Sequence, residues 1–175
     1  MAIEESLDEP LLAELYQYWS ERRGERRAPA RADIDPIDIP HLLPYIALTE
    51  VVLPPDCEEP RFRYRLAGTQ IEDRFGCPLT NRFLDELKEG EYLSYVQSLY
   101  RQLMVEVVPV YSESSFKTGD SNTLLAKRLM LPLSDDQQGV NMVLSGVLYR
   151  DSAPHHRATV QPFQAQFSAS RGQSE

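Results

Sequence analysis

The run Arg61-Phe62-Arg63-Tyr64-Arg65-Leu66 alternates strictly between arginine and large apolar or aromatic side chains. This period of two predicts a β-strand with one buried face, on which Phe62, Tyr64 and Leu66 would lie together. An earlier run, residues 45–53, is rich in β-branched and apolar residues and predicts a second, buried strand. Because prolines and an aspartate supply a turn between the two runs, a hairpin is the simplest connection.

Three helical segments are predicted after the hairpin. Thr69 and Glu72 have the spacing of a capping box, and Gly76 can end the short helix that they begin. A second short amphipathic segment surrounds Leu84. The third and longest helix cannot extend much past residue 108, because Pro109 follows it. Its apolar stripe consists of Tyr92, Val96, Leu99 and Leu103.

The last third of the chain returns to the period of a strand. Residues 110–116, 125–133 and 140–150 are predicted strands, and polar runs between them supply the turns of a three-stranded meander. The order is therefore helix, two strands, several helices and three strands. We expect an α+β fold in which a five-stranded antiparallel sheet carries helices inserted after its second strand.

An amphipathic helix is predicted before the first strand. Ser6 and Glu9 have capping-box spacing, and Gly24 is a plausible stop. The apolar stripe of this helical arm consists of Leu11, Leu12, Leu15 and Trp19. Since such a stripe outside the core must be covered, the arm is expected to pack on its own sheet or against a second copy. We favour a homodimer.

The connector after this helix is rich in arginine. Its side chains could form an anion-binding patch for a phosphate-bearing ligand, such as a nucleotide, or for an acidic partner. The alternative is that they pair with the chain's own carboxylates, which we favour because the formal net charge is −9. The candidates are Arg22, Arg23, Arg26 and Arg27.

Composition predicts one domain with extensions in a chain of 175 residues. We divide it into the arm and connector (residues 1–31), a core (32–150) and a flexible tail (151–175). The acidic charge argues against a nucleic-acid partner, and no run of about 18 apolar residues suggests a membrane span. The first residues are acidic where a signal peptide would be basic, and the two cysteines lack a pairing pattern. We expect a cytoplasmic protein with free thiols.

Several motifs together resemble a known family. They are Tyr18-Trp19, Ala32-Asp33-Ile34-Asp35-Pro36, Leu42-Leu43-Pro44, the run from Arg63 to Thr69, and Phe75-Gly76 with Leu79-Thr80. Over about residues 11–150 the chain resembles a short bacterial family of PAS domains, found mainly in alphaproteobacteria and long catalogued as a domain of unknown function. Asn81 stands where that family would have a glycine, so the turn there is expected to differ. The resemblance implies a PAS fold and a role in signal perception or protein interaction.

The resemblance also implies a ligand cavity between the sheet and the helices. Curved sheets covered by short helices leave gaps that can be shaped for a small molecule. The alternative, which we favour for these positions, is that the same side chains simply fill the core. The candidate lining residues are Ile71, Phe75, Phe83, Leu87, Leu99, Leu103, Met130 and Leu144.

No cofactor follows from the motifs, and its identity stays unknown at this level. Flavin photochemistry is not expected, because residues 81–84 resemble the flavin-binding stretch of photosensory PAS domains but lack its cysteine. Haem is not expected either, since His41, His155 and His156 lie outside the long helix where haem-binding PAS domains place a ligand. Cys77-Pro78 matches a haem-responsive dipeptide too short to be specific.

Catalytic signatures are missing from the sequence: we find no phosphate loop, no nucleophile elbow and no zinc pair. We therefore expect no catalytic residues, no metal site and no enzyme. The first functional hypothesis is a sensory module. It would signal in trans to another protein, because the roughly 25 residues after the core are too few for an output domain. The second is a ligand-free interaction or dimerisation module. An enzyme on a PAS-like scaffold is the remote third.

Overall fold

An antiparallel sheet lies at the centre of the computed structural model, which describes residues 7–56, 58–117, 123–152 and 166–167. Its strands are β1 (Ile46–Val52), β2 (Arg61–Ala67), β3 (Val110–Lys117), β4 (Thr123–Leu133), β5 (Met142–Ser152) and the two-residue β6 (Gln166–Phe167). They are ordered β2-β1-β5-β4-β3-β6. The β1–β2 hairpin and the β3–β4–β5 meander are both present, as predicted.

Four α-helices accompany the sheet within the described residues. They are α1 (Pro10–Arg23), α2 (Thr69–Phe75), α3 (Leu84–Leu87) and α4 (Gly90–Glu106). The last three lie between β2 and β3, which confirms the predicted α+β order. Short 3-10 turns at Arg31–Asp33, Pro36–Asp38 and Leu43–Tyr45 carry the chain from α1 to β1. No helix among the described residues is long and apolar enough to cross a membrane.

The β1–β2 hairpin contains an irregularity that corrects one prediction. Leu48 pairs with Leu66 but Thr49 pairs with Tyr64, so Arg65 is an extra residue on β2. A bulge of this kind shifts the side chains beyond it to the other face. Phe62 and Tyr64 are buried as predicted, whereas Leu66 is exposed. The strict alternation of the sequence therefore does not extend through Leu66.

The start of α2 corrects a second prediction. Gly68, not Thr69, precedes the helix, and no side chain caps it. A Cβ at Gly68 would lie 2.2 Å from the Leu43 carbonyl oxygen, so only glycine allows this close approach. The Glu72 carboxylate instead accepts a hydrogen bond from the Leu79 backbone N–H, 2.8 Å away, which ties the loop after α2 to the helix.

Other predicted helix ends are reproduced. Gly76 and Gly24 end α2 and α1, both with positive φ. Ser6 lies outside the described residues, and α1 begins after Glu9 with no side-chain cap. Asn81 has a φ of 66°, so it adopts the left-handed conformation that glycine usually takes and that asparagine tolerates. The turn expected to differ at Asn81 therefore keeps a glycine-like backbone.

Two hydrophobic cores lie on opposite faces of the sheet. Leu129, Leu131 and Leu133 face α1, whereas Met130 faces α2 and α4. Leu12, Leu15 and Trp19 of α1 are almost fully buried in the first core, and Leu11 packs against it. The Trp19 indole N–H donates to the Pro132 carbonyl oxygen at 2.8 Å. Of the two alternatives expected for the arm, the structure has the first: α1 packs on its own sheet and is part of a core there, not outside one.

Most of the predicted tail lies outside the described residues. Asp151 and Ser152 belong to β5, which begins and ends two residues later than predicted. Gln166 and Phe167 pair with Tyr111 and Val110 on β3.

Candidate functional site

A buried arginine lies between the sheet and the helices. The alternation of β4 places Ala126, Arg128 and Met130 on the face covered by α2 and α4. Ala126 and Met130 are apolar and completely buried, as this face requires, but Arg128 carries a charge into it with only 6% of its surface exposed. Arginine is almost never buried to this extent unless it is paired.

The surroundings of Arg128 are aromatic and neutral. Its Nη2 donates to the Tyr92 hydroxyl at 3.0 Å, while its Nη1 is buried and has no hydrogen-bond partner among the described residues. Tyr64, Tyr100 and Tyr149 are the other tyrosines close enough to act on its charge. None of the ion pairs between described residues includes Arg128. The guanidinium therefore has no carboxylate counter-ion in this part of the structure.

The charge state of the group follows from its neighbours. Burial acts to lower the pKa of Arg128, but the tyrosines, Tyr92 foremost, outweigh burial and raise it. Burial raises the pKa of Tyr64 well above its ordinary value and raises that of Tyr100. At physiological pH the phenols of Tyr64 and Tyr100 are therefore neutral, and the guanidinium is charged because arginine keeps its proton in proteins.

A small cavity adjoins Arg128. It has a volume of about 20 Å³, enough for roughly one water molecule. Tyr100 is fixed at its wall, because its ring stacks on Phe62 with 4.3 Å between centroids and its hydroxyl donates to Thr49 Oγ1 at 3.0 Å. The lining residues come from every layer of the fold: Ala47, Tyr64, Ile71, Phe75, Leu84, Tyr92, Val96, Tyr100, Arg128, Ser145, Val147 and Tyr149.

A surface cleft lies behind one wall of this cavity. The cleft has a volume of about 230 Å³ and shares Val147 and Tyr149 with the cavity. Gln70 and Arg74 of α2 line one side of the cleft, and Arg150 lines another. Val147 and Tyr149 thus lie between the cavity beside Arg128 and a cleft that is open to solvent.

The predicted cavity residues are only partly brought together. Ile71 and Phe75 line the cavity, and Leu87 packs against the same core without lining it. Leu99, Leu103 and Met130 are buried in that core beyond the cavity wall. For these positions the core-filling alternative describes the structure.

Two of the predicted lining residues lie elsewhere. Leu144 faces α1 in the opposite core. On β5 it is the next residue, Ser145, that points to the helices lining the cavity. Phe83 lies beneath the Arg61 guanidinium, 3.8 Å from its ring centroid, and Arg61 also pairs with Asp85. Phe83 thus supports a surface contact and does not line the cavity.

The arginine-rich connector pairs mostly with its own chain. Arg22 binds Asp38, Arg26 binds Asp33, and Arg27 donates to the Glu106 carbonyl oxygen. Arg23 lies over the Trp19 ring, 5.5 Å from its centroid. Arg23, Arg26 and Arg27 line a surface cleft of about 450 Å³, but Glu25 and Glu106 line it too. This arrangement matches the alternative of internal pairing, with a mixed rather than a cationic cleft.

The residues that the sequence analysis considered as cofactor ligands do not form a common site within the described part of the chain. His41 contacts Glu14 on the surface, and Cys77 is a half-buried free thiol with its sulfur 3.6 Å from an Arg82 nitrogen. His155, His156 and Cys57 lie outside the described residues. Within the described ranges, no group of three or more His, Cys, Asp or Glu side chains is placed to hold a metal ion.

Arg128 is the site residue that the sequence analysis missed. Its signal was available: in the strand predicted at 125–133, Ala126, Arg128 and Met130 share one face. A charged residue at a position that alternation assigns to the core is unusual. Because Lys127 precedes it, however, Arg128 resembles one half of an ordinary exposed basic pair.

Comparison with known proteins is consistent with this fold. No curated protein sequence matches the chain. A family model described as a PAS domain matches residues 7–149, which includes α1, the sheet from β1 to β5 and the helices around Arg128. Since PAS domains generally serve as sensory or regulatory modules, the match supports such a role in broad terms. The chain belongs to the PAS domain family.

Proposed function

We propose that this PAS domain is a ligand-responsive module whose ligand binds beside Arg128 and whose occupancy is read by another protein in trans. One observation carries the proposal: Arg128 lines the cavity, and its buried Nη1 finds no hydrogen-bond partner among the described residues. Buried polar groups are nearly always satisfied, by protein, by water or by a ligand. The neighbouring cleft behind Tyr149 supplies a route for a molecule from solvent.

The route to a partner runs through α4 in this proposal. Tyr92 binds Arg128 and belongs to the first turns of α4, where the Lys88 ammonium also lies 5.9 Å from its ring centroid. A ligand that takes over the Arg128 nitrogens would change the Tyr92 contact, and with it the exposed surface of this helix end. A bistable contact of this kind is how a small ligand alters a distant surface.

Thermal denaturation of the full chain tests ligand binding. The low-molecular-mass fraction of a bacterial extract is expected to raise the melting temperature, because a ligand that binds only the folded state stabilises it. Ala47 lines the cavity, so Ala47→Leu should fill it and abolish the shift. Ala32→Val, at an exposed site, is the matched control and should keep it. Native mass spectrometry then gives the mass of the bound molecule.

A ligand-free dimerisation module is the second candidate function, favoured by the small cavity volume of about 20 Å³. It predicts a homodimer in sedimentation velocity over a wide concentration range and no response to the extract. Because the α1 stripe is buried in its own sheet, such a dimer would have to use another surface. A concentration-independent monomer that responds to the extract would contradict this second candidate.

A further inference from the structure

We propose that the ligand of this cavity is a small monocarboxylate whose carboxylate group pairs with Arg128. The inference rests on the proposed ligand-sensing function and names the chemistry of the ligand. Its starting point is the charge balance of the interior. A guanidinium that is 6% exposed has one hydrogen bond, to the Tyr92 hydroxyl, and no carboxylate partner within the described part of the chain.

A lone buried charge calls for a counter-ion. Transfer of an ion from water into a protein interior costs several kcal/mol unless an opposite charge or several hydrogen bonds compensate. Lysine and histidine can escape by losing a proton, but arginine remains charged in proteins. The remaining way to neutralise Arg128 is an anion bound from outside.

The other polar groups near Arg128 also suit an anion. Ser112 on β3 is directly opposite Arg128, is buried, and its hydroxyl has no hydrogen-bond partner in the described structure. Ser145 contributes a further hydroxyl to the cavity lining. Both serine hydroxyls can donate a hydrogen bond to an anion, as can the Tyr64 phenol, whose pKa burial raises well above its ordinary value. A site built from donors and one cation selects an acceptor with negative charge.

Geometry favours a carboxylate over a rounder anion. The guanidinium is planar, and its nitrogens form a fork that matches two carboxylate oxygens. Phe75, Ile71 and Val96 provide an apolar wall for a short alkyl group.

Size and access limit the ligand to a few carbon atoms. The cavity of about 20 Å³ must expand, and Tyr149 is the wall that it shares with the cleft of about 230 Å³. Arg74 and Arg150 line that cleft, where Arg150 also pairs with Glu9, so guanidinium groups lie along the route that an anion would take.

The test compares charged probes with neutral probes of the same shape. The full chain is titrated with acetate, propionate and butyrate, and separately with acetamide, propionamide and butyramide, at constant ionic strength. At a hundred times its dissociation constant, the best carboxylate should raise the melting temperature by roughly 5–10 °C. The amides should give no shift, because they leave the guanidinium charge uncompensated.

Two variants locate the binding. Arg128→Met should lose the carboxylate response, whereas Arg101→Met should retain it, because Arg101 lies on the solvent side of α4 and pairs with Glu59. The wild-type comparison of acid and amide stands even if a variant folds poorly.

Three results would overturn the inference. They are an amide response equal to that of the acid, a carboxylate response that survives Arg128→Met, or no carboxylate response at all. If the bacterial extract still stabilises the chain and Ala47→Leu removes that effect, the cavity binds a ligand of different chemistry and the proposed function stands. If neither the extract nor the acids act, both proposals fail.

Discussion

Two adjacent basic residues on β4 occupy opposite electrostatic situations. Lys127 points to α1, where its ammonium lies 2.6 Å from Asp8 Oδ2, 3.2 Å from Glu9 Oε1 and 3.8 Å from Glu113 Oε1. Burial would lower the pKa of Lys127, but the hydrogen bonds to Asp8 and Glu9 raise it. Arg128 points to the other face, where its one hydrogen bond among the described residues goes to the Tyr92 hydroxyl. Neighbouring positions of one strand thus carry a cation with several carboxylate partners and a cation with none among the described residues.

This contrast predicts opposite effects of methionine at the two positions. Without added ligand, Arg128→Met should raise the free energy of unfolding by about 1–3 kcal/mol, because it removes an uncompensated buried charge. Lys127→Met should lower it by about 1–3 kcal/mol, because the nearly buried Glu9 then loses one of its two cationic partners and keeps Arg150. Urea unfolding followed by Trp19 fluorescence measures both.

The sign of the change in unfolding free energy in Arg128→Met decides between a structural and a ligand-binding role for this arginine. Loss of more than about 1 kcal/mol in Arg128→Met would mean that the guanidinium stabilises the unliganded fold. The functional assignment of the cavity would then lose its main support.

At the scale of elements, α1 behaves as part of the domain because β5 has a glycine beneath it. A Cβ at Gly146 would lie 2.8 Å from both Leu12 Cδ2 and Leu15 Cδ2, so the helix sits directly on the strand backbone. Side chains of β4 and β5 also clamp the start of α1, because Glu9 pairs with both Lys127 and Arg150. The close packing of α1 on the sheet therefore depends on the glycine at position 146.

Replacement of Gly146 by leucine should displace α1. Overpacking typically costs about 1–3 kcal/mol, and here the most direct relief is for the helix to move away. Trp19 is the only tryptophan of the chain and is 2% exposed, so its emission should shift to longer wavelength when α1 moves. Gly139→Leu is the control, because nothing lies within 4 Å of a Cβ there. An unshifted emission in the Gly146 variant would show that the sheet yields instead.

Periodicity predicted the elements well and the site poorly, for a physical reason. Strand and helix order follow from local alternation, which Phe62 and Tyr64 obey. Leu66 broke the pattern because a bulge depends on pairing with β1, which is not local. The predicted cap of α2 at Thr69 is wrong for a similar reason, since the close approach of the distant Leu43 requires a glycine at position 68. The cavity beside Arg128 is lined by residues from seven different elements, so no single stretch of sequence contains it.

For the whole molecule, carboxylates hold distant segments together. Arg150 foremost, with Lys127, lowers the pKa of Glu9 and joins α1 to the sheet. The Ala30 backbone N–H and then Arg26 lower the pKa of Asp33, and Arg61 lowers that of Asp85. Backbone N–H groups of Gln138 and Gly139 lower the pKa of Asp136 in the turn before β5. The folded chain therefore prefers all four groups ionised.

These shifts predict that the fold is unstable in acid. A carboxyl whose pKa is lower in the folded state stabilises the fold above its unfolded pKa, and this stability is lost as the pH falls through the folded pKa. The free energy of unfolding should thus be nearly constant from pH 7 to 5 and decrease below about pH 4, as the unfolded chain binds more protons than the folded chain. Urea titrations at successive pH values measure the slope. Glu9→Gln should flatten it, because that variant cannot take up this proton. A constant stability down to pH 3 would contradict the assigned carboxylate contacts.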